Sequence, residues 1–244
     1  MKLVFLGTSG SFPSKNRMCP AILVEDNFLI DCGEGALHRL LNLNIDLNTI
    51  EEIFISHSHA DHISSLPMLL WTMWLQGRKT KLTIYGPPNI QNVVESMLKL
   101  MGTSPEKFHF IIQYRKFNTA ENLGQFEVLP VTHGILTFAI KMGDKFVYTS
   151  DTAPCEPLTE FAKNCKLLIH ETTFPDEMKQ EAHVHNHSSP SDAAMIASKA
   201  NVEILSLYHI PPPFQSLEER FIAQAKKLFK GQIFVARDLE ILKI

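Results

Sequence analysis

Apolar and polar positions along this chain follow two periods. Short runs rich in β-branched and aromatic residues predict strands at Leu3–Leu6, Ala21–Glu25, Phe28–Ile30, Glu52–Ile55, Leu82–Tyr85 and Phe126–Val131 in the first half. Further strands are predicted at Phe138–Met142, Phe146–Thr149, Leu167–Ile169, Ile204–Leu207 and Ile233–Ala236. Between them, apolar residues recur every three or four positions and predict helices over Glu34–Leu43, Asp61–Gln76, Asn89–Met101, Pro190–Ala200 and Leu217–Phe229. Strands dominate both halves, and helices follow single strands or pairs of strands without strict alternation. That order predicts an α/β fold of two stacked mixed β-sheets with helices outside, rather than one doubly wound parallel sheet. No linker or low-complexity stretch interrupts the chain, so a single domain over 1–244 is expected.

One predicted helix departs from the amphipathic pattern. "DHISSLPMLLWTMWLQGR" is apolar on nearly every face, with Trp71 and Trp74 three positions apart. It reads either as a buried core helix or as a helix whose surplus face meets a second copy in a homodimer.

Composition narrows the function classes. A chain that is 45% hydrophobic and 20% charged has the make-up of a globular protein with a sizeable core. Its net charge of −3 argues against a dedicated nucleic-acid binder, so RNA contact would need a local patch. Arg17, Arg78, Lys79 and Lys81 offer one, although a solvated rim explains them equally simply. Cys19, Cys32, Cys155 and Cys165 form no C-x-x-C pair, which fits free thiols in a reducing cytoplasm. "MKLVFLGTSG" reads as a strand rather than a secretory leader, and the apolar region Leu66–Leu75 is too short to span a bilayer. A cytoplasmic location is the expectation.

Against that background "FISHSHADHISSLPMLL", from 54 to 70, is unusual. His57-x-His59-x-Asp61-His62 puts three imidazoles and a carboxylate into six positions at the end of a predicted strand. His57 and His59 fall on one side of the loop, with Asp61 and His62 on the next turn, an arrangement suited to two adjacent cations. Asp61 is placed to cap the following helix, with Ser58 assisting. Two metals need about eight donor positions and the run supplies half of them. The others are expected at further strand ends: His133 after "FEVLPVT", Asp151 after "KFVYTS" and His209 after "VEILSLY".

With these residues in place the chain resembles the metallo-β-lactamase superfamily, and within it the ribonuclease Z-like branch. The motifs "FLGTSGSFPS", "LIDCGEG", "SHSHADHISSLPMLL", "TIYGPP", "VTHG", "YTSDT", "LIHETTF", "HSSP" and "LYHI" carry the resemblance from Val4 to Ile210. It implies a four-layer αβ/βα sandwich with the metals at one edge between the sheets. It further implies that His57, His59 and His133 hold a first metal, that Asp61, His62 and His209 hold a second, and that Asp151 bridges both. Zinc suits this donor set, and manganese or iron would fit it too. Asp31 of "LIDCGEG" resembles the carboxylate that supports a ligand from behind, and a ligating imidazole does need its other N–H accepted.

Two neighbouring cations can share one water and lower its pKa towards 7, which supplies a nucleophile without any seryl or cysteinyl group. Asp61 would then handle the proton. The resemblance assigns His187, in "HVHNHSSPSDAA", to protonating the leaving oxygen; a helix start beside it is expected to lower its pKa. His170 and Glu171 of "LIHETTF" are expected in supporting positions. His183 and His185 read as surface residues, and His38 and His109 as ordinary ones.

Ribonuclease Z proper carries an inserted arm that grips transfer RNA, between the His133 and Asp151 positions. Here a strand Leu136–Met142, a Gly143-Asp144 turn and a strand Phe146–Thr149 fill that interval. Ser150 also stands where that branch usually has glycine. Without the arm, the first expectation is a metal-dependent phosphodiesterase acting on a small or cyclic phosphodiester or nucleotide-like substrate, of the kind armless relatives hydrolyse. Ribonuclease Z-type RNA 3′-end cleavage is the second expectation. Hydrolysis of a carboxylic ester, thioester, lactam or sulfate ester would use the same centre. "GTSGSFPS" offers backbone N–H groups and hydroxyls that could meet a phosphate oxygen.

Overall fold

The computed structural model describes residues 1–244. Its first sheet contains β1 (Lys2–Gly7), β2 (Ala21–Val24), β3 (Phe28–Ile30), β4 (Glu52–Phe54), β5 (Leu82–Gly86) and β6 (Ile112–Lys116), with β14 (Ile241–Lys243) beside β1. The second runs from β7 (Glu121–Asn122) through β8 (Glu127–Val131), β9 (Thr137–Met142), β10 (Phe146–Tyr148), β11 (Leu167–Glu171) and β12 (Ile204–Tyr208) to β13 (Gln232–Val235). Both sheets are mixed. Pairs from β14 to β3 are antiparallel and those from β3 to β6 parallel. The second sheet repeats the scheme, antiparallel from β7 to β10 and parallel from β10 to β13.

Strand alternation explains the layering. In β1, Leu3 and Phe5 turn into the apolar layer between the sheets, where they join Phe54, Phe138, Phe146 and Tyr208. Val4 and Leu6 turn outward beneath α1 (Ala36–Asn42), α3 (Leu66–Leu75) and α4 (Ile90–Leu100). On the far side, Val147, Leu168, Leu205 and Leu207 pack against α7 (Pro190–Lys199) and α8 (Glu218–Ala225). The result is the expected four-layer αβ/βα sandwich of the metallo-β-lactamase fold.

The predicted helix over Asp61–Gln76 is two helices, α2 (Ala60–Ile63) and α3. The N–H of Ser65 donates to the carbonyl of Cys32 instead of continuing the helix. Pro67 has no N–H to give, so the chain restarts with proline in its first turn. Leu66, Leu69, Leu70 and Met73 of α3 are buried, while Met68, Trp71 and Leu75 remain exposed. Half of this helix is therefore core. No helix is long and apolar enough to cross a membrane.

Of the four basic residues noted in the sequence, two are spent inside the fold, and Lys79 and Lys81 stay exposed. Arg78 is buried and donates to the carbonyls of Leu47, Thr80 and Lys81, and Arg17 is buried against Glu218. Both hold the fold together.

Candidate metal centre

The C-terminal ends of β4, β8, β10, β11 and β12 open at one edge of the sandwich, and the residues that follow them converge there. An antiparallel bridge between Thr132 and Ala153 ties the loop of His133 to that of Asp151. Four residues of the site take positive φ: Ser11 at 61°, Asp31 at 55°, Ser150 at 54° and His209 at 60°. Non-glycine residues are held there only where the surroundings over-determine them, and such positions gather at functional sites.

Seven side chains meet. The Nε2 atoms of His62 and His209 lie 3.4 Å apart, and they lie 3.4 and 3.3 Å respectively from Oδ1 of Asp151. Oδ2 of Asp61 is 3.6 Å from Nε2 of His62 and 3.3 Å from that of His209. A tetrahedron with edges of this length has its centre about 2.1 Å from each corner, the bond length imidazole and carboxylate make to zinc. On the other side, Oδ2 of Asp151 faces Nε2 of His57 at 3.9 Å and Nε2 of His133 at 4.0 Å. Nδ1 of His59 is 3.1 Å from Nε2 of His133. The two oxygens of Asp151 thus point to two separate donor groups.

The donors fit divalent metal. Two ring nitrogens facing each other at 3.4 Å repel unless something positive or a proton lies between them. Nε2 of His57 and Oδ1 of Asp151 are buried without any hydrogen-bond partner, an arrangement that costs free energy unless an ion satisfies them.

The outward nitrogen of four rings is taken by the protein. Nδ1–H of His62 donates to Oδ2 of Asp31 at 2.8 Å, and that of His57 to Oγ of Ser56 at 3.0 Å. His133 donates to the Asn186 carbonyl at 3.1 Å, and His209 to Oγ1 of Thr173 at 3.0 Å. This leaves the Nε2 lone pairs aimed at the centre, the arrangement that orients imidazole ligands. Asp31 also accepts from the N–H and Oγ of Ser56 and from the Tyr148 hydroxyl.

Within the donor cluster, charge and burial oppose each other. Burial works against an ionised Asp151, but the neighbouring imidazoles His209 and His62 outweigh it and hold its carboxyl well below the usual range. Asp61 is held low in the same way. His57, buried among other imidazoles, is pushed well down, which suits a neutral ligand.

His187 stands at the cleft wall with its ring 5.0 Å from that of His133. Its Nδ1–H donates to Oε1 of Glu171 at 2.9 Å. The expectation that a helix start lowers its pKa is wrong. Burial does act against its charge, but the carboxylate of Glu171 prevails and lifts it to about 9. The first turn of α7 is already closed by a capping box between Ser189 and Asp192.

Other expectations need correction. Asp61 does not cap α2; its carboxylate accepts from the N–H of Ser11 and turns to the donor cluster. Ser58 makes no cap either, its Oγ accepting from Asn89. In the "GTSGSFPS" loop the Thr8 hydroxyl is spent on Asp238, the Ser9 hydroxyl on the Phe12 carbonyl and the Ser11 N–H on Asp61, while Ser11 is exposed and lines the cleft. Alternation along β11 turns Glu171 to the site and His170 away from it, where the His170 Nδ1–H donates to the Glu171 carbonyl. His170 therefore supports no donor group. His183 and His185 are exposed, as expected, but both are engaged: His183 pairs with the buried Asp192 at 2.9 Å, and His185 lines the cleft. Phe174 lines it too. It ended a motif recognised in the sequence, but a lone aromatic after a strand gave no sign of which way it faces.

Residues 1–219 match the family profile described as Anti-Pycsar protein Apyc1. The chain is 33% identical over 288 aligned positions to a ribonuclease Z of Sulfurisphaera tokodaii, covering 96% of this chain and 95% of that protein. The alignment is longer than the 244-residue chain, so that relative carries residues this chain lacks. Among solved structures, the metallo-β-lactamase fold protein YhfI of Bacillus subtilis superposes with a TM-score of 0.83 at 25% identity, covering 99% of this chain and 98% of that one. The short form of human tRNase Z gives 0.81 at 24% identity, covering 100% and 99%, and speaks for the fold.

Proposed function

We propose a function from the premise that this chain belongs to the Apyc1 family, in the ribonuclease Z-like branch of the metallo-β-lactamase superfamily, and is a metal-dependent hydrolase. The reading is phosphodiester hydrolysis at a dinuclear centre held by His57, His59, His133, Asp61, His62, His209 and the bridging Asp151. The observation that carries it is the split of Asp151, one oxygen towards each donor group. Two bound divalent ions, zinc foremost, would supply Lewis acidity and a water acidic enough to attack at neutral pH.

The residues of the chain do the rest. Asp61, anchored by the N–H of Ser11, accepts and orients a proton at the ions. Cationic His187, fixed by Glu171, gives a proton to the departing oxygen. Asp31, Ser56, Thr173 and the Asn186 carbonyl keep four imidazoles turned inward.

Two substrate sizes compete. The name of the curated relatives favours an RNA phosphodiester, ahead of the small diester expected from the sequence. The observation in favour of the small diester is the plain β9–β10 hairpin, joined at Met142–Phe146 where ribonuclease Z carries its arm. Metal-loaded protein offered a transfer-RNA precursor, cyclic nucleotides and an aryl sulfate in parallel separates them. Maturation of the precursor at a rate matching the best small diester establishes the RNA reading; a cyclic nucleotide far ahead of it establishes the other. Turnover of the sulfate alone sinks both, and so does a His59→Ala variant that hydrolyses diesters as fast as the parent.

A further inference from the structure

Phe174 has no role in the core. It belongs to none of the three apolar clusters and is half-buried on the wall of the cleft that holds Asp61, His133, Asp151 and His187. Its position is nevertheless fixed. The two preceding hydroxyls are spent inside, Thr172 on the Tyr208 carbonyl and Thr173 on Glu171, and Pro175 follows. Behind the ring, Phe214 lies 6.1 Å away. Beside it the His185 ring is 6.2 Å away and within 12° of parallel, so the two rings share an orientation. The segment carrying His185 is clamped by buried Asp192, which takes Lys179 at 2.7 Å and His183 at 2.9 Å.

The cleft occupies about 550 Å³ and has no lysine or arginine on its walls. Phe174 stands 6.1 Å from the His187 ring, whose other ring neighbours are His133 at 5.0 Å and His209 at 5.9 Å. A phosphodiester seated at the ions would therefore have its next group against an aromatic face, with no cation waiting for another phosphate.

We infer that Phe174, flanked by His185, is a stacking platform for a nucleobase carried by the diester, and so a residue that sets specificity. The inference rests on the proposed phosphodiesterase reading and deepens it. Stacking of a base on an aromatic side chain is strong enough to shift affinity roughly tenfold or more when the ring is removed.

The test compares thymidine 5′-(p-nitrophenyl phosphate) with methyl p-nitrophenyl phosphate, which lacks a base. Both release p-nitrophenolate, which leaves without help from His187, so a disturbed His187 does not mimic the effect. Phe174→Ala should raise KM for the thymidine ester roughly tenfold with kcat nearly unchanged, and leave the methyl ester as it was. Phe174→Tyr should restore the KM. An Ala variant that changes both esters alike, or neither, overturns the platform. If the parent protein with zinc or manganese turns over neither of these esters, nor a cyclic nucleotide, nor a transfer-RNA precursor, the phosphodiesterase reading falls on its own. Calorimetry with thymidine 5′-monophosphate and methyl phosphate then still decides the platform: a base-dependent affinity lost in Phe174→Ala supports it, and equal affinities refute it.

Discussion

Nδ1 of His62 donates to Oδ2 of Asp31 across 2.8 Å, with both side chains buried. The same carboxylate receives Ser56 and the Tyr148 hydroxyl, so Asp31 sets the direction of His62 directly and of His57 through Ser56. Replacing the supporting partner of a ligating imidazole typically weakens metal binding about 10- to 100-fold. Asp31→Asn should do so here while the protein still folds. Zinc titration against a competing chelator measures it, and an unchanged affinity would remove Asp31 from the supporting role.

Gly10 approaches the His209 backbone so closely that a Cβ would lie 2.5 Å from the His209 carbonyl and 2.6 Å from Nδ1 of its ring. Gly10→Ala should therefore displace His209 from its donor group and leave the His57–His59–His133 group intact. Metal analysis after dialysis should fall by about one ion per chain, with little change in far-ultraviolet circular dichroism. Retention of the full metal content would mean that His209 is not a ligand.

The donor cluster could be read from the sequence because its side chains sit next to each other or where apolar strands stop, and strand ends are the part of a sheet fold that periodicity locates well. His133, Asp151 and His209 were found that way. Elements with weak periodicity were not. β6 is "IQYRK", polar and on an edge, and α5 (Glu156–Phe161) and α6 (Lys179–Val184) are too short to show a helical repeat. The break between α2 and α3 depended on a hydrogen bond to Cys32, which lies 33 positions away from Ser65 and leaves no local trace. Facing direction was equally hidden. Nothing adjacent to His170 or Phe174 says that one turns from the cleft and the other lines it.

Ser150 occupies a left-handed position at φ 54°, where glycine carries no steric penalty, and its Oγ lies 3.4 Å from Nδ1 of His57. The strain is on the order of 1 kcal/mol. Ser150→Gly should raise the unfolding free energy of the metal-free protein by about that amount. Its metal affinity should fall only slightly, because Ser56 still holds the His57 ring. Denaturant melts with and without zinc check both. Loss of stability in the glycine variant would show that the hydroxyl matters more than the backbone.

In the proposed reaction, the pairing of Glu171 with His187 should make turnover depend on pH. The carboxylate lifts the imidazole from its ordinary value to about 9 against the effect of burial. Protonated His187 is the competent form for donating to a poor leaving group, so turnover of an alkyl diester should decline as pH rises through that pKa. Glu171→Gln removes the charge while keeping an oxygen for the Thr152 and Ser188 N–H groups, both of which donate to Oε1 at 3.1 Å. The alkaline decline in kcat should then move to lower pH. His187→Ala should cost roughly 10²- to 10⁴-fold on an alkyl leaving group and far less on p-nitrophenolate, which departs unprotonated. Equal losses on both leaving groups, or an alkaline limb that stays in place in Glu171→Gln, would show that the departing oxygen takes its proton from elsewhere.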